Sequence, residues 1–380
     1  ITSNKWMRAG YGQSIRNYFS QKTNPKTLID FGGIQIFDSA TVDTNILLFE
    51  HADNTHATAA VTAAKHDKSI LNNLSDFVRQ NAADTSFDTS DSWVILTPIE
   101  QSIKRKIESV GVPLKDWDIQ INYGIKTGFN DAFIISTEKR DEILANCADE
   151  AERERTAELI RPILRGRDIK RYGYDWAGLY LIATFPSRHY DIEQYPAVKA
   201  HLLSFGMERL EQTGKESIVN GQKVKARKKT NNKWFETQDS ISYWDDFNKP
   251  KLVWGEISDR SKFAFDKSGV YVPEATTFLL VGKDALSLYA FLNSSPAEWY
   301  FSKLGPRTGE GTIRWKKYTV EQIFAPKLSE AQIDEVTAII SQPIEDIASL
   351  MNNWFYSFYE LSDDEIAYIN GYFNAIVKQK

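Results

Sequence analysis

Short apolar runs rich in aromatic residues recur between residues 170 and 327, and they constrain the fold more than any other feature of this sequence. The clearest of these runs lie at 180–182, 252–254, 263–265 and 277–281, with turn residues between them. Runs of this length and composition predict β-strands. Because helical patterns precede and follow this region, the sequence predicts an α+β fold.

The helices on either side are recognised by residues that favour helix starts. Thr97, Pro98 and Glu100 provide a side-chain cap, a proline at the first helical position and a carboxylate that reaches back to the cap. A charge-rich segment at 138–164 predicts a pair of solvated helices. Residues 328–380 are predicted to form a helical tail. Two residue pairs in that tail fit capping boxes, namely Ser329 with Gln332 and Ser362 with Glu365.

The N-terminal part has a different pattern, typical of an α/β sheet. Strands are predicted at 27–31 and 42–50, separated by two glycines. Alanine, threonine, asparagine and aspartate dominate the residues that follow, which predicts a linker. The chain starts at Ile1 without a methionine, so we expect a fragment of a longer protein. The predicted organisation is the end of an α/β domain at 1–50, a linker at 51–95, a second domain at 96–327 and a helical tail at 328–380 packed on that domain.

Motifs for metal, nucleotide or acid–base chemistry are not found in the sequence. Cys147 is the only cysteine, which excludes an intrachain disulfide and a multi-cysteine zinc site and fits a reducing cytoplasm. The five histidines have no His-Glu-x-x-His spacing, and there is no Walker loop. No apolar run approaches the roughly 18–20 residues that a membrane span needs. We therefore expect no metal site, no catalytic residue and no membrane association.

The charge of the chain is unevenly distributed, which bears on nucleic acid as a partner. The net charge of −5 argues mildly against such a partner, yet residues 223–233 hold six basic residues and no acid. This basic segment is predicted to contact DNA phosphates, or else to be merely solvated, and residues 213–232 are predicted to be the most mobile stretch without DNA. Its basic residues are Lys223, Lys225, Arg227, Lys228, Lys229 and Lys233.

A second basic cluster follows a glycine-rich loop at 305–311. Arg307 lies within the loop, and Arg314, Lys316 and Lys317 surround Trp315 directly after it. Glycines with an arginine suit contact with a nucleic-acid backbone, and basic residues interleaved with an aromatic suit nucleic acid as well. The alternatives are a plain surface loop and a tryptophan that belongs to the core.

Several segments, taken in order, resemble one known family. Residues 1–11 and 28–50 resemble the C-terminal end of the catalytic domain in TaqI-type amino-group adenine methyltransferases. The specificity domain that follows in Type IIG restriction–modification enzymes is resembled by five further segments, at 124–135, 163–172, 195–203, 248–254 and 291–296. The resemblance implies the remnant of a methyltransferase sheet, then a mixed α+β domain that recognises double-stranded DNA.

The resemblance also implies roles for individual residues. Phe37 matches an aromatic residue that stacks on the flipped adenine in this family, although it could equally be an apolar strand residue. Lys126, Thr127 and Asn130 match a Thr-Gly-x-Asn loop and are expected to face DNA, with a purely structural turn as the alternative. The family's Phe-x-Gly-x-Gly and Asn-Pro-Pro-Tyr motifs do not occur here. The chain alone is therefore expected to bind no S-adenosylmethionine and to be inactive.

The parent protein implied by the resemblance is an S-adenosylmethionine-dependent, adenine-specific DNA methyltransferase, with or without an attached endonuclease. Its missing N-terminal catalytic part would be the partner of this chain. Two alternatives remain open. One is a separate DNA-binding specificity subunit of a restriction or anti-phage defence complex. The other is a soluble α+β metabolic enzyme, which the sequence supports least because no acid–base or cofactor motif is present.

Overall fold

The computed structural model describes residues 1–63, 68–304 and 313–378. The chain divides into two compact units, and each is described by itself. The first unit comprises Ile1–Gly111, Ser295–Ile313 and Phe355–Lys380, and the second comprises Val112–Ser294 and Arg314–Trp354.

The described strands are β1 (Thr2–Ser3), β2 (Asn24–Asp30), β3 (Thr44–Glu50), β4 (Thr58–Thr62), β5 (Ala83–Thr85), β6 (Gly111–Pro113), β7 (Gln120–Tyr123), β8 (Ile134–Ser136), β9 (Ile160–Leu164), β10 (Ile169–Lys170), β11 (Gly173–Tyr174), β12 (Leu179–Ile182), β13 (Glu216–Val219), β14 (Gln222–Lys225), β15 (Lys251–Gly255), β16 (Ile257–Ser258), β17 (Phe263–Asp266), β18 (Val272–Pro273), β19 (Thr277–Val281), β20 (Ile313–Arg314) and β21 (Phe324–Pro326). The described α-helices are α1 (Gln13–Lys22), α2 (Leu74–Asn81), α3 (Pro98–Val110), α4 (Asn130–Phe133), α5 (Thr137–Ala145), α6 (Glu150–Leu159), α7 (Pro196–Leu203), α8 (Met207–Leu210), α9 (Ala285–Leu292), α10 (Ser295–Leu304), α11 (Lys317–Val320), α12 (Glu330–Ile340), α13 (Ile344–Phe358) and α14 (Asp363–Lys378).

The first unit is built on a five-stranded sheet in the order β1-β3-β2-β4-β5. Strand β2 pairs antiparallel with β3 and parallel with β4. Successive residues of β2 point to opposite faces of the sheet: Leu28 packs with Trp6 and Trp93, whereas Ile29 packs with Val61. Both faces are therefore covered by apolar side chains, as expected for an α/β sheet.

The prediction of a linker at 51–95 is wrong, because part of this segment belongs to the sheet. The segment supplies β4, an inner strand, together with β5 and helix α2. The composition misled because β4 is short and built from small residues, yet Ala60 and Val61 are buried. Pairing with β2 satisfies the backbone hydrogen bonds of β4, and the composition of β4 alone does not indicate this pairing.

The helical elements also divide differently from the predicted organisation. Helices α3, α10 and α14 belong to the first unit, so the tail is shared between the units instead of packing wholly on the second. The predicted start of α3 is confirmed, since the Thr97 and Glu100 side chains form a reciprocal capping box. Glu100 also accepts hydrogen bonds from Lys303 and from the Tyr368 hydroxyl, which ties α3 to α10 and α14.

The second unit contains two four-stranded sheets. Their strand orders are β18-β9-β12-β8 and β17-β15-β19-β7. In the second of these sheets, Val253 of β15 pairs with Ala264 of β17 on one side and with Leu279 of β19 on the other. Helices pack beside these sheets, so the α+β class predicted from the sequence is confirmed.

One segment of the second unit differs from its predicted structure. The charged surroundings of residues 160–164 predict a helical region, but these residues form β9. Ile160 and Ile163 are β-branched and buried, and Pro162 cannot continue a helix. Pairing of Pro162 with Tyr180 of β12 places this segment inside the sheet.

Candidate nucleic-acid interface

The basic segment at 223–233 begins in a β-hairpin, with residues 223–225 in strand β14 and the remaining residues after it. Strands β13 and β14 pair antiparallel, with Glu216 opposite Lys225 and Ile218 opposite Lys223. The two central turn residues, Asn220 and Gly221, have φ angles of 50° and 80°. Positive φ at both positions and the Asn-Gly sequence are typical of the type I′ turn that closes two-residue hairpins. The scarcity of large apolar side chains predicts a mobile arm here, and its mobility without DNA stays a prediction.

The lysines of this hairpin and of the chain after it lie on the protein surface. Lys223 is exposed and forms an ion pair with Glu216 at 2.5 Å. In the described ranges no acidic side chain pairs with the exposed Lys225, Lys228 or Lys229. The exposed Lys233 holds its ammonium group over the Phe235 ring, 5.5 Å from the ring centre. These positions leave several cations available to an anionic partner.

The prediction that Arg227 contacts DNA is wrong, because the side chain is buried and only 1% exposed. Its Nε donates to the Leu210 carbonyl oxygen at 2.7 Å, and its Nη1 donates to the carbonyl oxygens of Thr127 at 2.9 Å and Glu236 at 2.7 Å. Its Nη2 donates to the Trp234 carbonyl oxygen. Burial, with a smaller effect of Arg209, lowers the pKa of Arg227 to about 10, so the guanidinium stays charged at neutral pH. Arg227 thus ties three other backbone segments, at Thr127, Leu210 and Trp234–Glu236, to its own.

The turn from Lys126 to Asn130 is one of the segments that Arg227 holds. Gly128 has a φ of +77°, a backbone conformation that favours glycine, and a Cβ added there would lie 2.9 Å from the movable end of the Gln238 side chain. Thr127 is buried; its hydroxyl accepts from the Phe129 N–H and donates to Asn130 Oδ1 at 2.6 Å. Thr127 therefore stabilises the turn, and the prediction that it contacts DNA is wrong. Lys126 and Asn130 are exposed.

The structure thus places the turn and the hairpin side by side. Arg227 lies directly after the hairpin and reaches Thr127 across 100 positions in the chain. Gln238 donates from its backbone N–H to the carbonyl oxygens of Lys126 and Thr127. Two segments predicted separately from sequence form one surface, which we call the hairpin–turn surface (Lys126–Asn130 with Gly214–Lys233).

The second basic cluster is partly neutralised by neighbouring acids. Glu256 lies 3.7 Å from Arg314 and 3.6 Å from Lys316, and Glu321 lies 3.8 Å from Lys317. Trp315 is buried, and its carbonyl oxygen accepts from the Trp254 indole at 2.9 Å, so it belongs to the core. Arg307 and the glycine-rich loop lie outside the described residues.

A row of backbone and side-chain contacts connects this cluster to the hairpin–turn surface. The Glu256 N–H donates to the Thr276 carbonyl oxygen, and the Thr276 hydroxyl donates to the Glu274 carboxylate. Glu274 forms an isolated β-bridge with Ile125, which directly precedes Lys126. The described residues of the second cluster are therefore linked to the Lys126 turn through Glu256, Thr276 and Glu274.

Phe37 lies in the first unit, in the connection between β2 and β3. Its side chain is 42% exposed, and Phe37 forms a β-bridge with Ala40 in a tight turn. The backbone oxygen of Phe37 accepts a hydrogen bond from Gln35 at 3.1 Å. This exposure is not that of a core residue and leaves the ring face accessible.

Within residues 1–63, 68–304 and 313–378, no three histidine, cysteine, aspartate or glutamate side chains group as a metal site. The same ranges contain no helix with the length and apolarity for crossing a bilayer. Burial lowers the pKa of His201, whose ring nitrogen Nε2 lies 3.0 Å from the Ala132 carbonyl oxygen.

Comparison with known proteins identifies the class to which the second half of this chain is related. Residues 161–323 match the family described as the TaqI-like C-terminal specificity domain. The chain is 19% identical over 387 residues to the Type II methyltransferase M.PaeR7I of Pseudomonas aeruginosa, a match that covers 98% of this chain and 62% of that protein. The resemblance predicted from the sequence is confirmed by these matches.

Two solved structures are also similar. The Type IIL restriction–modification enzyme MmeI, solved in complex with DNA, has a TM-score of 0.51 at 12% identity and covers 99% of this chain and 49% of its own. The Type IIG restriction endonuclease BpuSI has a TM-score of 0.43 at 9% identity and covers 93% of this chain and 46% of its own. The likeness to MmeI supports the fold alone. This chain spans between about half and 62% of the length of these proteins.

Proposed function

We propose that the second unit recognises a specific sequence in double-stranded DNA, as the specificity part of an adenine amino-group methyltransferase of a restriction–modification system. The observation that carries this proposal is the hairpin–turn surface. The buried Arg227 joins the Lys126–Asn130 turn to the segment that carries the hairpin, and the sequence predicts that both segments face DNA.

The charge of this surface fits the proposal. Lys126, Lys223, Lys225, Lys228, Lys229 and Lys233 are all exposed in a chain whose net charge is −5. Lysines near phosphates release condensed counterions, which supplies sequence-independent affinity and fixes the protein on the duplex. The exposed Asn130 lies in the same turn as Lys126, and its amide Nδ2 can donate to a base edge while its Oδ1 accepts from the Thr127 hydroxyl. The surface therefore combines groups for positioning with groups for reading.

Catalysis is assigned to a separate part of the parent protein. The chain covers 62% of the Type II methyltransferase to which it is similar, and its sequence has no Phe-x-Gly-x-Gly or Asn-Pro-Pro-Tyr motif. We infer that the parent binds S-adenosylmethionine through this other part and works in the cytoplasm. Phe37 is proposed to receive the flipped adenine, since an extruded base needs an aromatic face in place of its lost stacking. Its 42% exposure supports that role.

The test is the salt dependence of binding to duplex DNA by the 380-residue chain, measured by fluorescence anisotropy. Each neutralised phosphate adds about −0.9 to the slope of log K against log salt. Replacing Lys225, Lys228 and Lys229 with alanine is expected to flatten the slope by up to about 2–3.

A matched control comes from the opposite end of the β17-β15-β19-β7 sheet. Lys267 directly follows β17 and Lys283 follows β19, at the end remote from Tyr123 and the Lys126 turn. Both lysines are exposed like those of the hairpin, but they lie away from the Lys126 turn. Their alanine variants should therefore leave the slope of log K against log salt unchanged. Equal slopes for the wild type and the triple variant would contradict the proposal.

A further inference from the structure

The β13–β14 hairpin stands apart from the core of the second unit. The two strands pair only with each other among the described sheets, and every residue from 214 to 225 is exposed or half-exposed. A lone two-stranded hairpin is marginally stable in water and needs anchoring. Here the anchor is at its root, where the Gly214 N–H donates to the Arg227 carbonyl oxygen at 2.8 Å and the Ala226 N–H donates to the Lys215 carbonyl oxygen at 2.9 Å.

One side chain on this hairpin is unusual in its setting. Ile218 is 79% exposed, the highest value among the large hydrophobic residues of the described chain. Single exposed aliphatic residues are common, so exposure alone decides nothing. The register decides more, because Ile218 lies directly opposite Lys223 and shares its face of the ribbon with Lys225. The same face thus carries an apolar group beside two cations of the neighbouring strand, with Glu216 opposite Lys225 as its acidic member.

This combination matches the chemistry of a DNA groove more closely than that of a protein surface. The major groove is about 12 Å wide and admits a two-stranded β-ribbon. Its floor carries one apolar group, the thymine C5-methyl, and its walls carry phosphates. The two lysines on the strand opposite the isoleucine disfavour an apolar protein partner, because their ammonium groups would have to lose water on docking.

We propose that the β13–β14 hairpin enters the major groove, with Ile218 against a thymine methyl group and with Lys223 and Lys225 at the bordering phosphates. The inference rests on the proposed function and adds the groove, the base type and the residue that reads it. Entry into the groove exchanges the Glu216–Lys223 ion pair for a phosphate contact. The anchored root keeps the ribbon in one orientation, which reading at a fixed position requires.

The experiment uses the full chain and a duplex that it enriches from a random-sequence pool, prepared with thymine and again with deoxyuracil at every thymine position. Deoxyuracil differs from thymine in lacking the C5-methyl group. The wild type should bind the deoxyuracil duplex roughly three- to tenfold more weakly, the range expected for losing one or a few methyl contacts. Ile218→Ala should weaken binding to the thymine duplex similarly and respond little to the deoxyuracil exchange.

Val270→Ala is the matched control, because Val270 is a 42% exposed aliphatic residue outside the hairpin. It should retain the full deoxyuracil effect. A deoxyuracil effect of equal size in the wild type and in Ile218→Ala, or no effect in the wild type, would overturn the inference while leaving duplex recognition intact. Failure to bind or enrich any duplex would instead overturn the proposed function and this inference with it. Circular dichroism of Ile218→Ala should be unchanged, since the side chain is exposed.

Discussion

Replacing Arg227 with alanine separates a structural role from a DNA contact. The change removes the donors to four carbonyl oxygens, those of Thr127, Leu210, Trp234 and Glu236. A buried carbonyl left without a donor costs about 1–3 kcal/mol, and water entering the space recovers part of that loss. Four such carbonyls that each lose part of this amount, together with the lost packing of the arginine stem, add up to about 3–5 kcal/mol. We expect a loss of that size in local stability, concentrated at the hairpin–turn surface.

Hydrogen exchange measured by mass spectrometry reports this loss locally, without requiring that the two units unfold together. A loss of about 3–5 kcal/mol corresponds to exchange roughly a hundred- to several-thousandfold faster at the protected amides of residues 210–240. The neighbouring Lys228→Ala is the control, because Lys228 is exposed. It should leave exchange unchanged and flatten the salt slope of DNA binding by about 0.9. The structural role is refuted if Arg227→Ala keeps normal exchange and changes only the salt slope.

Three further outcomes are expected. Lys251→Met should lower the free energy of unfolding by about 3–5 kcal/mol in urea titrations, because Asp266 would stay buried without the ammonium group now 2.6 Å away. Burial raises the pKa of Asp266, but the neighbouring Lys251 ammonium group outweighs burial, so the pKa of Asp266 lies below its ordinary value. The ionised Asp266 therefore stabilises the fold above pH about 4, and this stabilisation is lost as the pH falls. Urea titrations at several pH values should show a smaller loss of stability in acid for Asp266→Asn than for the wild type. In a protein that joins this chain to a catalytic part, Phe37→Ala should slow methylation roughly ten- to hundredfold and Phe37→Trp should not, with melting temperatures unchanged. A normal rate for the folded alanine variant would count against stacking.

The sequence alone predicted those features that local interactions determine. The start of α3 depends on Thr97 and Glu100, three residues apart, and the structure has the predicted capping box. Strands β12, β15, β17 and β19 lie where apolar and aromatic runs indicated them. Local composition failed where pairing with a distant segment decides the structure, as in β4, whose partner β2 lies about thirty residues earlier in the chain.

The candidate site shows the same division between local and distant contacts. Lys225 and Lys228 are exposed as their charge suggested, but Arg227 between them is buried. No pattern within residues 223–233 distinguishes this arginine, because its acceptors include carbonyl groups 17 and 100 positions away. The hydroxyl of Thr127 is likewise used inside its own turn, which a motif match does not reveal.

Sequence-specific recognition of duplex DNA is tested most directly by selection from a random pool. The 380-residue chain is incubated with duplexes carrying a randomised central segment, and bound DNA is recovered and sequenced over several rounds. A single short motif should be enriched, and a duplex carrying it should compete at least about a thousandfold better than scrambled duplex at physiological salt. Recovery of no motif, or equal competition by scrambled and selected duplexes, would contradict the assignment of this chain as a DNA specificity domain.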